Sequence, residues 1–256
     1  VVDISRGTTI AQNGVRIHTV EHALAAVSGL RLDNVLIELT AKEAPVMDGS
    51  AKDFVDALGS VNFIEQKKDR HVLDISKPVV YSDLKKEIDI HVVPADRFRV
   101  TFLVEYPLPA LGTQYEAIYN MEEDFARDVA PARTFCFLSE VEQLREKGLI
   151  KGGSLSNAVV ILDRRIENGE INHLRKLFGI KDKVIQGTNG ILNGKVLRFH
   201  NEPVRHKTLD LIGDLALLGI SIKGHVTAAR SGHESNVAFV KMIKKEYKEQ
   251  LENNIP

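Results

Sequence analysis

The stretch EPVRHKTLDLIGDLALLG at 202–219 places ionisable side chains on an oily helix, and that combination restricts what the chain can fold into. His206, Asp210 and Asp214 step by four residues, so they form one stripe along a helix face. Their neighbours are Leu209, Leu211, Ile212, Leu215, Leu217 and Leu218. An unpaired buried carboxylate is costly, so the stripe either faces water, pairs with Arg205 and Lys207, or meets another positive group. A metal ion is one such compensator.

With 256 residues, 43% of them hydrophobic, the chain can bury a proper core as one large domain or two small ones. Lys plus Arg (34) nearly balances Asp plus Glu (35), which argues against nucleic acid as a partner. The single cysteine, Cys136, excludes an internal disulfide framework and a cysteine-rich zinc knuckle, and suits a reducing compartment. No run approaches the roughly 18 uncharged apolar residues of a spanning helix, and the start lacks a basic segment followed by an apolar one. The chain opens on Val1 in polar, turn-like sequence, and the expectation is that natural N-terminal residues have been removed.

Along the chain, TVEHALAAVS (19–28) reads as a helix capped by Thr19 and ended by Gly29. VLIELT (35–40) reads as a strand, PVMDGS as a turn, and Ser50 with Asp53 as a capping box opening a helix through Leu58. The charged segment from about 60 to 70 links this unit to a second. Alternation in KKEIDIHVV and RFRVTFLVEYP predicts an antiparallel meander from His71 to Tyr106. EEDFARDVA and LSEVEQLREKG read as helices around a short ARTFCF strand, and NAVVILD and KVLRF as strands flanking an irregular insertion at about 164–194. The helix at 203–218, a strand ISIKGHVTAAR and a long terminal helix from SGHESN complete the reading. Superposing His22 on His206 also matches Val20 with Val204 and Gly29 with Gly213, a faint repeat of helix, glycine, then strand. These features predict an α+β protein of two units, 1–66 and 67–256, with an insert at about 155–200; a true duplication would set two related α+β layers facing each other with a site at their junction.

The first helix supplies Glu21 beside His22, so His22, His206 and Asp210 could provide three zinc ligands, with Glu21 accepting a proton from activated water. Read singly, Glu-His is an ordinary surface pair, and no H-E-x-x-H occurs. His233, in S-G-H at a strand-to-helix junction, could protonate a leaving amine with Asp214 orienting it, or simply start a helix. Thr134 in A-R-T-F could donate to an oxyanion or be a plain strand threonine. G-G-S at 152–154 is either a phosphate approach or a turn.

Together, T-V-E-H-A-L (19–24), P-V-M-D-G-S (45–50), A-R-T-F (132–135), G-G-S, V-R-H-K-x-L-D-x-I-G-D (204–214) and S-G-H (231–233) resemble the UDP-3-O-acyl-N-acetylglucosamine deacetylases over nearly the whole chain. The resemblance implies a cytoplasmic zinc amidohydrolase of Gram-negative bacteria, removing acetate from a UDP-linked acylated N-acetylglucosamine in the committed step of lipid A synthesis. It implies zinc ligands His22, His206 and Asp210, catalytic roles for Glu21, His233, Thr134, Lys207 and Asp214, and substrate contacts from Phe135, Gly153, Ser154 and Arg230. It further implies two related two-layer α/β sandwich domains, each with helices packed on a sheet and carrying an insert, with the active site at their junction and the opening strands of the first domain absent from this sequence. The stretch between NAVVILD and KVLRF, longer than in the shorter members, would shape an apolar passage for the acyl chain. LENNIP would precede a fused hydroxyacyl dehydratase module. A catalytically silent nucleotide-sugar or acyl-chain binding module of the same fold, and a hydrolase for another N-acyl sugar, are the alternatives.

Overall fold

A computed structural model describes residues 1–5, 7–108, 111–141, 154–167, 169–178 and 189–253. The architecture is α+β. Strands β1 (Ile10–Gln12) and β2 (Val15–Ile17) form a hairpin whose two turn residues, Asn13 and Gly14, both have positive φ, 51° and 80°. A two-residue turn of that hand matches the twist of the flanking strands, and Asn-Gly is its favoured sequence. Helices α1 (Glu21–Gly29) and α2 (Lys52–Gly59) follow and pack on each other.

The largest sheet among the described residues has five strands. Strands β3 (Val72–Asp74), β4 (Val79–Asp83), β5 (Ile88–Val93), β6 (Arg99–Glu105) and β7 (Thr113–Ile118) come next in the chain. A short helix α3 (Met121–Asp124) runs on into a π-type turn at Phe125–Val129. Strands β8 (Phe135–Phe137) and β9 (Val159–Ile161) pair in parallel, and helix α4 (Ile171–Phe178) covers a small satellite core around Leu138, Val160 and Leu174. Then come α5 (Glu202–Leu215), β10 (Ser221–Lys223), β11 (His225–Ala229), α6 (His233–Glu246) and α7 (Lys248–Asn253).

The order in the main sheet is β4-β5-β11-β6-β7, so the expected simple meander is interrupted. β11 inserts between β5 and β6, antiparallel to the first and parallel to the second. The period-2 pattern survives this: Ile90, Val92, Val100, Phe102, Val104, Val226 and Ala228 all point to the same covered face. Helix α5 lies on that face and also touches α1 and α6, so every residue from Glu202 to Leu215 is buried except Arg205 and Lys207.

Several local expectations are corrected. VLIELT is not a strand: it runs without ladder partners among the described residues, and Val35, Leu36, Ile37 and Leu39 are exposed. Strand propensity alone does not satisfy a backbone that has no neighbouring strand to bond. KVLRF is also irregular, because Lys195 reaches the carbonyls of Leu155 and Ala158 while the Arg198 amide donates to Glu202. ISIKGHVTAAR breaks at Gly224, where a Cβ would lie 2.7 Å from Ile75 Cγ1, and its halves join different sheets. Thr19 does not cap α1; it adopts a left-handed φ of 54° and bonds Glu43, leaving Val20 at the cap. Ser50 and Asp53 form no box, since the Ser50 hydroxyl instead accepts from the Lys52 amide and donates to Asp48. The stretch at 164–194 contains α4. Of the helix expected from LSEVEQLREKG, residues 138–141 are helical and the remainder lies outside the described residues.

The repeat aligned Gly29 with Gly213, but Gly213 lies inside α5 rather than after it. Both glycines serve close approach. A Cβ at Gly213 would sit 2.1 Å from the Glu21 carbonyl oxygen, and one at Gly29 2.2 Å from the Phe125 ring. Since backbone cannot yield as a side chain can, Gly213→Ala is expected to lower unfolding stability by about 1–3 kcal/mol or more through overpacking. Denaturant unfolding against the parent chain checks this, and an unchanged midpoint would mean that the helices separate freely.

Candidate active site

Close packing of α1 on α5 brings His22 opposite His206 and Asp210, all three buried. One ligand atom from each lies within 4.8 Å of the others, the only such His/Cys/Asp/Glu group found among the described residues. Asp210 Oδ1 is 3.4 Å from His206 Nε2 and 3.8 Å from His22 Nε2. Two ligands at tetrahedral angles on an ion such as zinc sit about 3.4 Å apart, so the donor set fits a small divalent cation. The rings of His22 and His206 meet edge to face at 89°, which lets both Nε2 atoms converge. His206 Nδ1 donates to the Ala132 carbonyl at 3.0 Å, leaving Nε2 with its lone pair free for a metal.

The segment that orients His206 is itself anchored. Arg133, buried, forms a paired contact with Glu202 at 2.8 and 3.0 Å, and the Glu202 carboxylate also accepts the Arg133 and Arg198 amides. The Thr134 amide donates to the Gly49 carbonyl at 2.7 Å, so the PVMDGS turn holds this segment in place. Gly49 has φ of 83°, and a Cβ there would fall 1.8 Å from the Asn157 carbonyl oxygen. Asp48 secures the turn by accepting from Ser50 and pairing with Arg198 at 2.6 Å.

Glu21, adjacent to His22, is buried, and its Oε2 accepts the Thr8 amide at 2.8 Å. Across the cluster, His233 Nδ1 donates to Asp214 Oδ2 at 2.8 Å, and His233 Nε2 lies 4.0 Å from Asp210. Asp214 is wholly buried and accepts two more bonds, from Asn236 Nδ2 at 2.9 Å and from the Thr8 hydroxyl at 2.6 Å. The two carboxylates of the α5 stripe therefore both face inward, towards α1 and α6, instead of towards water.

A cavity of about 260 Å³ opens beside these groups. Thr134, Phe135, Ser154, Lys207, His206, Asp210 and His233 line it, together with an apolar wall that includes Phe137, Val160 and Phe178. Thr134 lies just ahead of β8 rather than within it. Gly153 lies outside the described residues. Arg230 is not part of the cavity lining: it adopts φ of 55° and its guanidinium bonds Glu105 and the Glu87 carbonyl. Thr8, Asn236, Tyr106 and Phe137 belong to the site or its support and were not singled out from the sequence. Asn236 had a signal, since it sits one helical step from His233; Thr8 had none, lying in a non-periodic segment far from the residues it touches.

The environments drive the titrating groups apart. Burial, with a smaller contribution from Asp210, raises the Glu21 carboxyl to about 7 against the opposing charge of His233. Burial, reinforced by His206, lowers the His22 imidazole to about 4, so it is neutral and able to ligate at pH 7. Burial would raise Asp210, but His206, His233 and Lys207 together bring it below the usual carboxylate range. For His233, burial opposes the charge, yet the Asp214 hydrogen bond and the charges of Asp210, Asp214 and Glu21 outweigh it and hold the ring at about 9.

Comparison with known proteins agrees with this arrangement. The model of the UDP-3-O-acyl N-acetylglycosamine deacetylase (LpxC) family matches residues 1–177 and 170–245. The chain is 47% identical over 246 residues to the bifunctional enzyme LpxC/FabZ of Chlorobaculum tepidum, covering 96% of this chain and 53% of that protein. It is 40% identical over 243 residues to the UDP-3-O-acyl-N-acetylglucosamine deacetylase of Syntrophotalea carbinolica, covering 95% and 70%, and 37% identical over 244 residues to that of Chlamydia pneumoniae, covering 95% and 77%. The chain thus spans about half the length of the bifunctional relatives it matches. With the family model matched over residues 1–177 and 170–245, and relatives 37–47% identical over nearly the whole chain, this chain belongs to the UDP-3-O-acyl N-acetylglycosamine deacetylase family.

Proposed function

We propose that the chain is a zinc-dependent amidohydrolase that removes the N-acetyl group of a UDP-3-O-acyl-N-acetylglucosamine, releasing acetate, at the committed step of lipid A synthesis in the cytoplasm of a Gram-negative bacterium. The observation that carries this is the convergence of His22, His206 and Asp210 beside Glu21 and the His233–Asp214 pair, at the edge of a partly apolar cavity. A fusion to a second catalytic module is part of the same proposal, supported by the bifunctional name of three relatives. No helix among the described residues is long and apolar enough to cross a membrane.

His22, His206 and Asp210 would hold the zinc. When bound, zinc supplies a Lewis acid that polarises a carbonyl and acidifies water. Glu21 takes the proton of the attacking water as its oxygen bonds to the acetyl carbon. Thr134, in the cavity wall, donates its hydroxyl to the oxygen that gains negative charge. His233, protonated and steadied by Asp214, gives its proton to the amine nitrogen as the carbon–nitrogen bond breaks, yielding acetate and a free amino sugar. Phe135, Phe137, Val160 and Phe178 receive the acyl chain, while Lys207 and Ser154 contact the polar part of the substrate.

Zinc analysis of the purified chain is expected to find about one ion per chain, lost in His206→Ala, because a set of three ligands reduced to two no longer closes. Acetate release from the acylated substrate should accompany the zinc. A folded, zinc-loaded chain that binds substrate without releasing acetate would instead identify a silent binding module.

The pH dependence follows from the two shifted groups. Glu21 works when it has lost its proton, so turnover rises with pH, and a bound cation beside it moves that limb below about 7. His233 works when protonated, so turnover falls as pH rises through its own pKa, about 9 before a cation is added. Glu21→Gln and His233→Gln are each expected to lower kcat by about 10²–10⁴-fold, the His233 variant also losing the alkaline fall. Initial rates across pH 5–10 check both limbs; a His233 variant that keeps the alkaline fall would assign that limb elsewhere.

A further inference from the structure

Thr8 is completely buried and contacts both groups between which the reaction is proposed to run, although it lies 13 residues from one and more than two hundred from the other. Its amide donates to Glu21 Oε2 at 2.8 Å. Its hydroxyl donates to Asp214 Oδ1 at 2.6 Å and lies 3.3 Å from His233 Nδ1. A side chain at the preceding residue would crowd the same carboxylate: a Cβ at Gly7 would come 2.9 Å from Glu21 Oε1 and oblige that oxygen to shift, so Gly7 leaves room for the group that Thr8 grips. The segment cannot drift, because the Thr8 carbonyl accepts the Val20 amide at the start of α1 and the neighbouring Thr9 hydroxyl bonds His18.

We propose that Gly7-Thr8 is a positioning element that sets Glu21 and His233 relative to each other, a role resting on the functions proposed above for those two residues. Asp214 has its Oδ2 engaged by His233 and Asn236, so its other oxygen depends on Thr8. Without the hydroxyl that oxygen is buried and unpaired, and the carboxylate is free to turn, taking the imidazole with it. Threonine is suited to the place because its methyl group fills the buried space while its hydroxyl supplies the donor. Thr8 is not among the residues lining the cavity, so its loss acts on the rate of the bound complex and not on substrate affinity.

Steady-state acetate release by zinc-loaded parent, Thr8→Val, Thr8→Ser and Gly7→Ala chains tests this, with zinc content and thermal midpoint measured for each. Thr8→Val, nearly isosteric, is expected to lower kcat about 10- to 100-fold with KM little changed, and Thr8→Ser to restore most of the rate. Gly7→Ala, which keeps the hydroxyl and crowds only Glu21, is expected to lower kcat as well; it serves as the reading if Thr8→Val fails to fold. An unchanged kcat in Thr8→Val, equal losses in the valine and serine variants, or an effect confined to KM would overturn the inference. A parent that releases no acetate would defeat the proposed function instead. The positioning role is then read from crystal structures of parent, Thr8→Val and Thr8→Ser: a His233 ring and Asp214 carboxylate displaced only in the valine variant support it, and groups unmoved in both overturn it.

Discussion

The close contact between α1 and α5 governs the rest of the molecule. Because Gly213 has no side chain, the backbone of Glu21 settles directly against α5, and His22 is carried to within ligand distance of Asp210 and His206. Any side chain at that point would push the helices apart by more than a metal site tolerates. The same contact buries Glu21, which is the chief reason its carboxyl is lifted to about 7. Ligand geometry and acid–base character thus both follow from one packing choice. The sheet contributes by covering α5 with Val100, Phe102 and Val104 on its other side, so the helix cannot retreat.

Around that contact the buried polar groups are paired in a graded way. Asp214 accepts three hydrogen bonds and Glu202 holds Arg133 and two amides, so neither charge is left isolated in the core. Glu21, by contrast, has one strong donor and a desolvated environment, and His233 has a dedicated carboxylate. Both pKa values are raised, which keeps Glu21 near its deprotonation point and His233 charged, the two states that acid–base chemistry at neutral pH needs. The difference comes from the partners each group meets, since burial disfavours the charged form of both.

How far the sequence was legible varied with the range of the interaction. The α5 stripe was readable because its residues repeat every four positions, and a helix turns local spacing into a shared face. The pairing of that stripe with Glu21-His22 was suggested by the repeat around His22 and His206. Asn13-Gly14 carried a hairpin signal that strand patterns alone did not reveal. VLIELT and KVLRF misled, because a strand exists only where another strand accepts its hydrogen bonds. The position of β11 between β5 and β6 was also out of reach, since alternation specifies which face is covered but not which neighbour covers the edge.

By itself the sequence determined the α+β class, the oily helix with His206, Asp210 and Asp214 on one stripe, the ligand-type residues at 22, 206 and 210, and the motifs that identify the family, whereas the inward turn of that stripe was left to the fold. These are properties of residue type at short spacing, which local geometry converts directly into faces and turns. Tertiary structure alone decided that Thr8 meets both Glu21 and Asp214, that Ala132 orients His206, and that Arg230 turns away to Glu105. Those contacts join segments as much as two hundred residues apart, with no periodicity between them. They exist because packing a buried carboxylate or imidazole requires a partner, and only the folded chain determines which donor is within reach.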